Sequence, residues 1–428
     1  MANEIKKKKG ISRIFPENKL YTVLILIMAL VAIAFLAMIA VVNAFPANMT
    51  MGLVAALFAV LLLAWVLLAR RQRPLRVLGL LVALLFLTFY GLGTYYLGTT
   101  YAMFARISNN EAPVKPSEGL DPTQDSFNVY ITGIDQWNKE KGLDLERSDV
   151  NMIVTVCPQT RKILLTSIPR DAYVELDRVP EMDKLTHTGI YGVDETLNTV
   201  EKWLGIDLNY YVKMNFSAVR DVINAMGGVD VYSPVAFGSS ISDYTYEKGW
   251  NHLDGKAALY FARERKSFEG KDSLRVENQQ ILVKALIDKL TSSTTLLTKY
   301  GDILGAAGKS LETNMSNDDM QNLVRMQLAD LSPWTVESQK IEGEYDLDYV
   351  ASLAKTSRYQ VYKTYPESVA SCVDAINAVM NPTQAELDEV LENKKKTTAI
   401  NFIKGILGRN NSASEGEGSD TEETQDGE

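Results

Sequence analysis

Three long apolar runs near the amino terminus dominate the pattern of hydrophobic and polar positions. They cover residues 21–43, 51–69 and 77–98 and contain almost no charge. Each reaches the roughly 20 residues that cross a bilayer as a helix. A cleaved signal peptide is the alternative for the first run, but its apolar stretch is too long and two more runs follow it. The pattern therefore predicts three transmembrane helices within residues 21–98.

Basic residues flank the three runs unevenly. Lysines and an arginine precede the first run, arginines lie between the second and the third, and the loop 44–50 carries no charge. Because cytoplasmic flanks are rich in Lys and Arg, the basic residues 1–20 and the second loop should face the cytoplasm. The main part of the chain then lies outside the cell membrane. ATP is scarce there, so a reaction should draw its energy from the substrate.

Beyond these runs the pattern becomes that of a globular chain. Residues 99–125 contain three prolines and are typical of a linker. The mixture of elements that follows predicts an α/β (α+β) domain at 126–385, with a central mixed sheet flanked by helices. Residues 386–428 form a C-terminal extension with an acidic tail that lacks apolar residues, a composition typical of disorder.

Individual elements of this domain follow from periodicity. Short β-branched runs bounded by Gly or Pro predict buried strands, and apolar residues at helical spacing predict amphipathic helices. The predicted strands are 127–131, 150–156, 163–168, 229–232 and 359–364, and the predicted helices are 193–204, 216–226 and 274–290.

Histidine and cysteine are scarce, which narrows the possible chemistry. His187 and His252 are too few for a His-rich metal centre, and we expect a structural histidine bonded to the backbone and a turn residue, respectively. Cys157 and Cys372 exclude a cysteine zinc site, although a single disulfide stays open. The net charge is −9, and the first 125 residues are net positive, so the exported part is strongly acidic. This balance argues against a nucleic-acid binder.

Two carboxylates flank neighbouring predicted strands. Asp135 follows the strand at 127–131, and Asp149 precedes the strand at 150–156. If these strands are antiparallel neighbours, both carboxylates lie at the same sheet edge. Two carboxylates at one edge suit Mg²⁺, which fills its remaining positions with phosphate oxygens and water. Capping of turns is the alternative role for aspartates at strand ends.

Arginines form the second chemical signal. Arg170 lies just beyond the end of the strand at 163–168, after Pro169, and a surface salt bridge is its alternative role. Arg263 and Arg265 are two residues apart, so an extended segment would direct both side chains to the same side.

A polar stripe opens the predicted helix 274–290. Asp272, Arg275 and Gln279 are spaced i, i+3 and i+7 near a helix N-terminus, where unpaired N–H groups favour anions. Four converging arginines repel one another unless an anion lies between them, and guanidinium groups match phosphate oxygens. A Walker-type loop is absent from the sequence, so nucleotide is not implied. The residues indicate a pyrophosphate held by arginines and a magnesium ion.

In these segments, and in their order, the chain resembles the LytR-CpsA-Psr (LCP) family. The three preceding spans resemble the capsule-associated CpsA branch, although the short linker leaves no room for the accessory domain common in that branch. The resembling segments are GID at 133–135, RSD at 147–149, SIPRD at 167–171, KLTH at 184–187, YYVKMNF at 210–216, MGGVDV at 226–231 and NHLDGKAALYFARER at 251–265, followed by Asp272, Arg275 and Gln279.

The resemblance implies an activity. Family members transfer a glycopolymer, such as capsule or wall teichoic acid, from an undecaprenyl-pyrophosphate carrier to peptidoglycan, with a phosphodiester formed at a muramic acid hydroxyl. An apolar pocket between sheet and helices would hold the polyprenyl chain. By motif position, Mg²⁺ or Mn²⁺ would be held by Asp135 and Asp149, pyrophosphate by Arg170, Lys184, Arg263, Arg265, Arg275 and Gln279, and catalysis would involve Asp272, Arg263 and Arg275, with Asp272 as the proton acceptor.

Three departures from the family pattern accompany the resemblance. Asn278 stands where many members have an arginine, Gly189 stands where many have a tyrosine, and Gln136 and Trp137 replace a polar or basic stretch. The first departure predicts weaker phosphate binding. The implied partners are the lipid bilayer, peptidoglycan and the proteins of capsule or wall-polymer synthesis, in a Gram-positive cell. A lipid-pyrophosphate hydrolase and a non-catalytic regulator that binds lipid-linked polymer are the alternative functions.

Overall fold

The computed structural model describes residues 18–43, 45–107, 119–134, 148–264, 272–292, 295, 299–308, 311–353 and 356–393. The chain divides into two compact units, Met1–Met380 and Asn381–Glu428. In the second unit, residues 384–393 form a helix. The first unit contains the three apolar helices and the globular domain.

The first three helices are long and apolar enough to cross a membrane. They are α1 (Lys19–Val42), α2 (Ala47–Ala69) and α3 (Arg73–Ile107). They pack on one another through small and aromatic residues, and the rings of Phe35 and Tyr90 meet edge to face with centroids 5.0 Å apart. A Cβ atom at Gly93 would lie 2.9 Å from the Phe35 ring, so glycine permits this close approach. The prediction of three long apolar helices is confirmed.

The globular domain mixes short strands and helices. In the part of the domain that the structure describes, the main sheet has six strands in the order β11-β6-β1-β2-β3-β12, and four further sheets have two strands each. The strands are β1 (Phe127–Ile134), β2 (Ser148–Cys157), β3 (Lys162–Ser167), β4 (Tyr173–Glu175), β5 (Met182–Lys184), β6 (Tyr210–Asn215), β7 (Val229–Ser233), β8 (Phe237–Gly238), β9 (Thr245–Tyr246), β10 (Gly249–Leu253), β11 (Leu311–Thr313), β12 (Thr335–Lys340), β13 (Gly343–Asp348) and β14 (Tyr359–Thr364).

The helices of the domain lie between these strands in the chain. They are α4 (Leu185–Thr188), α5 (Val193–Leu204), α6 (Phe216–Ala225), α7 (Gly255–Arg263), α8 (Asp272–Thr291), α9 (Tyr300–Ala307), α10 (Asn317–Ala329) and α11 (Pro366–Met380). Side-chain caps start several of them, because the first N–H groups of a helix need acceptors. The Asp254 carboxylate accepts from the Ala257 amide at 2.7 Å at the start of α7.

Helices cover both faces of the main sheet. Alternation along β1 sends Tyr130 into an apolar cluster with α5 and α11, and it sends the neighbouring Val129 into a second cluster with α8 and α10. A strand with apolar residues on both faces is typical of a sheet buried between helical layers. The predicted α/β (α+β) domain with a central mixed sheet is confirmed.

One observation differs from an expectation, and another answers a question that the sequence left open. Arg263 ends the helix α7 and is not in an extended segment, because Ala258, Phe261 and Ala262 bury one side of that helix. Cys157 and Cys372 are both buried in the α5 and α11 cluster and are free thiols. The disulfide that the sequence left open is therefore not formed in this structure.

Candidate functional site

Four strands of the main sheet end at one edge. β6 runs parallel to β1, and β12 runs parallel to β3. β2 is antiparallel to both β1 and β3, so β1, β3, β6 and β12 share one direction. The carboxyl ends of parallel strands are where α/β sheets bind their ligands. The conditional prediction that the strands flanking Asp135 and Asp149 are antiparallel neighbours is thus fulfilled.

A β-bulge lies at this edge, at Asp149. The register passes from Gly133 opposite Val150 to Ile134 opposite Ser148, so Asp149 is the extra residue. A bulge turns a side chain out of the regular ladder and is common beside functional sites. A Cβ atom at Gly133 would lie 3.1 Å from the Val150 Cβ, so glycine relieves crowding at the bulge.

An ion-pair network connects the bulge to the loop after β3. The Asp149 carboxylate accepts from Arg170 Nη1 at 2.5 Å. Asp171 then lies 3.4 Å from Arg170 Nε and 3.2 Å from Lys184 Nζ. These four side chains are partly exposed and alternate in sign. We call them the strand-end network, and two of its members, Arg170 and Lys184, are predicted pyrophosphate ligands.

Backbone hydrogen bonds hold the loop that carries Arg170 and Asp171. The Ala172 amide donates to the Pro169 carbonyl at 3.0 Å, which closes a turn. The Arg170 carbonyl accepts from the Thr186 amide, and the Asp171 carbonyl accepts from the Tyr362 amide, each at 2.8 Å. The network therefore stands on backbone that is tied to two other segments.

Helix α8 brings its first turns to the same end of the sheet. Gln280 Nε2 donates to Ser167 Oγ, the last residue of β3, at 3.0 Å, and to the Gln339 carbonyl of β12 at 2.6 Å. Arg275 lies in the first turns of this helix and is 5 % exposed. Gln279 is half-buried. The structure thus places Arg275 on the helix that is tied to the end of β3, where Arg170 follows.

Arg263 reaches the edge from helix α7. Its guanidinium carbon lies over the Phe216 ring, 4.8 Å from the ring centroid. Phe216 directly follows β6, whose last residue pairs with the last residue of β1. Such a cation–π contact orients a guanidinium.

The buried Asn278 contacts the end of helix α7. Its Nδ2 donates to the Phe261 carbonyl at 3.0 Å. This carbonyl belongs to the last turn of α7, where carbonyls have no partner within the helix. Asn278 therefore fixes the end of α7 that carries Arg263, which gives this departure from the family pattern a structural role.

A second, buried cluster adjoins the network. His187 Nδ1 lies 2.7 Å from Asp183 Oδ1, and the Ser352 amide donates to Asp183 Oδ2 at 2.8 Å. Ser352 Oγ lies 2.9 Å from the same Nδ1 atom. A serine nucleophile relay needs serine and aspartate on opposite ring nitrogens. His187 is therefore structural, although its partners are side chains and not the backbone as expected.

Several predicted site residues lie outside what the structure describes. Asp135 and Arg265 are outside the described residues, as are Gln136 and Trp137, and so is the side chain of Asp272, whose backbone begins α8. Within the described residues, no group of three or more His, Cys, Asp or Glu could hold a metal ion. The metal assignment of Asp135 and Asp149 stays a prediction.

Sequence reasoning gave Asp171 no role and did not name Asp183. Asp171 bridges Arg170 and Lys184, and Asp183 is 0 % exposed. Burial raises the pKa of Asp183, but hydrogen bonds from His187, Ser352 and the Lys184 amide outweigh it and hold this pKa below its usual value. The adjacency of Asp171 to Arg170 was a usable signal. The pairing of Asp183 with a residue 169 positions away was not.

This sheet edge combines a bulged carboxylate with basic side chains from three elements, and the chain that forms it matches a known family. The model of the LytR_cpsA_psr family matches residues 94–370 of the chain. The chain therefore belongs to the LytR-CpsA-Psr family, and the family predicted from the sequence is confirmed. Its assignment to the CpsA branch stays a prediction.

Curated relatives carry the name polyisoprenyl-teichoic acid–peptidoglycan teichoic acid transferase TagU. The protein of Bacillus licheniformis is 29 % identical over 260 residues, which cover 59 % of this chain and 83 % of that protein. The protein of Bacillus subtilis is 30 % identical over 260 residues, which cover 59 % of this chain and 83 % of that protein. At the level of a transferase of this family, the predicted function is confirmed.

Solved structures share the fold of the domain. Bacillus subtilis TagV is 27 % identical with a TM-score of 0.50 and covers 61 % of this chain and 99 % of that chain. TagT bound to LIIa-WTA is 29 % identical with a TM-score of 0.50, and the match covers 64 % of this chain and 99 % of that chain.

Proposed function

We propose that this protein is a membrane-anchored phosphotransferase. It moves a glycopolymer from a polyprenyl-pyrophosphate carrier to peptidoglycan, in a magnesium-dependent reaction outside the cell membrane. The observation that carries the proposal is the strand-end network, in which Arg170 and Lys184 are held at a ligand-binding sheet edge. The names of the TagU relatives and the LIIa-WTA ligand named with TagT support the same chemistry.

The network supplies basic groups whose present partners can be exchanged. Arg170 and Lys184 pair with Asp149 and Asp171, and all four side chains are partly open to solvent. A pyrophosphate offers more acceptor oxygens than a single carboxylate, and guanidinium groups bind such oxygens in pairs. Arg263 and Arg275 reach the site from α7 and α8. Binding of the substrate would thus replace internal ion pairs by charge-assisted bonds to phosphate.

The donor set fits a magnesium ion. Asp149 is turned out at the bulge, and Asp135 follows Ile134, the residue opposite Ser148 in the ladder. Mg²⁺ needs one or two protein carboxylates and takes phosphate oxygens and water for the rest. When bound, it would neutralise charge on the phosphoryl oxygens. Exchange of Arg170 from Asp149 to the substrate would leave this carboxylate available to the ion.

The transfer itself needs no external energy source. The acceptor hydroxyl oxygen forms a bond to the phosphorus that carries the glycopolymer, and the bond from this phosphorus to the bridging oxygen breaks. Polyprenyl phosphate leaves, and the hydroxyl proton passes to a carboxylate, which we assign to Asp272. The arginines stabilise the charge that develops on the phosphoryl oxygens, which is the main catalytic term in such reactions.

The topology is part of the proposal. The three long apolar helices anchor the chain, and the basic flanks place residues 1–20 on the cytoplasmic side. The domain then meets its lipid-linked donor at the outer surface of the bilayer. Partners in capsule or wall-polymer synthesis would supply this donor.

The test uses the full chain in lipid nanodiscs. The protein is incubated with a polyprenyl-pyrophosphate saccharide, peptidoglycan oligomers and Mg²⁺, and products are followed by mass spectrometry. We expect polyprenyl phosphate and a saccharide–peptidoglycan conjugate, both lost with EDTA and in Arg263→Ala. Arg220→Ala is the matched control, since Arg220 is an exposed arginine that pairs with its neighbour Asp221. Free saccharide phosphate alone would identify a hydrolase, and binding without any product would identify a regulator.

A further inference from the structure

A cleft opens beside the strand-end network. Its volume is 420 Å³, within the roughly 300–1,000 Å³ of small-molecule sites. The end of β3, helix α8 and the ribbon β13–β14 line it. None of the predicted site residues whose side chains the structure describes lines this cleft, so these residues do not account for it.

The cleft reaches the pyrophosphate site from the side. Pro169 lines it and directly precedes Arg170, and Val276 lines it and directly follows Arg275. Tyr362, also in the lining, donates its amide to the Asp171 carbonyl at 2.8 Å. A ligand in the cleft would therefore lie next to a pyrophosphate bound at the sheet edge.

The lining combines aromatic rings with carboxylates. Tyr345 and Tyr362 meet edge to face with centroids 5.0 Å apart, and Tyr345 is 43 % exposed. Tyrosine offers both an apolar ring face and a polar hydroxyl. Glu342 and Glu344 are the carboxylates, and they outnumber the single base, Lys340. Such a lining disfavours anions and suits a neutral molecule with hydroxyl groups and apolar ring faces.

Close packing and ion pairs join the two strands of the ribbon that carries these residues. A Cβ atom at Gly343 would lie within 2.1 Å of the Lys363 carbonyl oxygen, so the two strands approach closely there. Lys363 also pairs with Asp346 at 2.7 Å and with Asp348 at 3.0 Å across the ribbon. These cross-strand contacts help to hold one wall of the cleft in place, and a preformed wall reduces the cost of binding.

We propose that this cleft binds a neutral saccharide of the acceptor glycan and directs its hydroxyl to the phosphorus. The identification of the saccharide as the acceptor rests on the proposed transferase function. Charge favours the acceptor over the donor, because Glu344 adds a carboxylate to the lining beyond Glu342, which pairs with Lys340 at 3.8 Å. Position favours it as well, since the acceptor must approach the pyrophosphate and the cleft adjoins it at Pro169.

The test compares two exposed tyrosines in similar settings. Tyr345 lies on the β13–β14 ribbon beside Tyr362. Tyr232 lies on the β7–β10 ribbon, is 49 % exposed, and meets Trp250 edge to face with centroids 5.6 Å apart. Tyr345→Ala should raise the KM for a peptidoglycan oligosaccharide about tenfold, as the loss of one aromatic contact predicts. It should leave the donor KM and the kcat at saturating acceptor unchanged, and Tyr232→Ala should change none of them.

A second variant and a direct binding measurement keep the test decisive. Glu344→Gln preserves size and should raise the acceptor KM by a smaller factor. Binding of a neutral peptidoglycan saccharide to the full chain, measured by saturation-transfer NMR without donor, should be lost in Tyr345→Ala. A raised donor KM, or an unchanged acceptor KM in both variants, would overturn the proposal.

The two proposals fail in different ways. If the wild-type protein binds the saccharide through Tyr345 but forms no conjugate, the cleft stands as a saccharide site and the transferase function fails. If the protein forms conjugate while saccharide binding does not depend on Tyr345, the cleft proposal fails alone.

Discussion

Two clusters of charge lie side by side in this protein, joined at the consecutive residues Asp183 and Lys184. In the strand-end network, Asp149 and Arg170 are 2.5 Å apart, and their side chains are 27 % and 29 % exposed. In the buried cluster, Asp183 and His187 are 2.7 Å apart, and their side chains are 0 % and 4 % exposed. The contact distances are similar, yet the settings of the two pairs differ.

The difference lies in what each cluster can still do. Each oxygen of Asp183 already accepts hydrogen bonds from the protein. A satisfied buried group of this kind contributes to the fold and has little capacity for a ligand. The strand-end network is partly open to solvent, where an ion pair contributes less to stability than a buried one. Its charges are therefore available to a substrate, and the comparison predicts that the two clusters separate activity from stability.

The largest expected effect breaks the strand-end network. Arg170→Ala should lower the transfer rate about 100- to 1,000-fold, as for other donors to transition-state charge. The melting temperature should stay close to that of the wild type, because the side chain is partly exposed. Activity is measured with the nanodisc assay and stability by thermal unfolding of the full chain, with Arg220→Ala as control. A variant that melts far earlier with unchanged activity would reverse the roles that we assign.

The next effect breaks the buried cluster. Asp183→Ala removes a buried acceptor from His187 and Ser352 and should lower the free energy of unfolding by about 3 kcal/mol. Asp230→Ala is the matched control, because Asp230 Oδ1 lies 2.6 Å from His252 Nδ1 in an exposed pair. The control should cost about 0.5 kcal/mol. Equal losses in thermal unfolding would contradict the importance of burial.

Acid should weaken the buried cluster in a predictable direction. The pKa of Asp183 is held below its usual value in the folded protein, so the unfolded state binds its proton more readily. The stabilisation is complete above the unfolded pKa of about 3.9 and disappears as pH falls through the lower folded pKa. Between pH 6 and pH 3, the melting temperature of Asp183→Asn should therefore fall less steeply with decreasing pH than that of the wild type. If the melting temperatures of the variant and the wild type fell in parallel, other carboxylates would determine the acid sensitivity.

The smallest expected effect concerns Lys184, which contacts both the strand-end network and the buried cluster. Lys184 contributes its amide to Asp183 at 2.7 Å and its ammonium to Asp171 at 3.2 Å. Lys184→Gln keeps the amide and removes the charge, so activity should fall about tenfold, an amount equivalent to about 1.4 kcal/mol. Stability should not change. A large loss of stability in thermal unfolding would show that the ammonium also supports the buried cluster.

Much of the sheet could be predicted because its central strands are apolar on both faces. β1, β2 and β3 were predicted from β-branched runs, and α8 from helical spacing. β12 (TVESQK) was not predicted, because it is a polar edge strand whose conformation depends on its pairing with β3. Edge strands bury little and carry a weak periodic signal.

The site could be predicted in its residue types but not in its contacts. The positions of Asp149 and Arg170 at strand ends followed from the sequence. Their ion pair depends on the bulge, which shifts the register by one residue and has no signature in the hydrophobic pattern. The helix that ends at Arg263 was missed because its amphipathic face spans only nine residues.

The bulge at Asp149 also determines how this strand tolerates a change in length. In a regular ladder, loss of one residue turns every later side chain to the opposite face of the sheet. At Asp149 the ladder already contains the odd residue, since Gly133 faces Val150 and Ile134 faces Ser148. Deletion of Asp149 would close the ladder and leave the faces of Val150–Cys157 as they are. At this one position, the chain can lose a residue of its candidate active site while the packing of its core keeps its register.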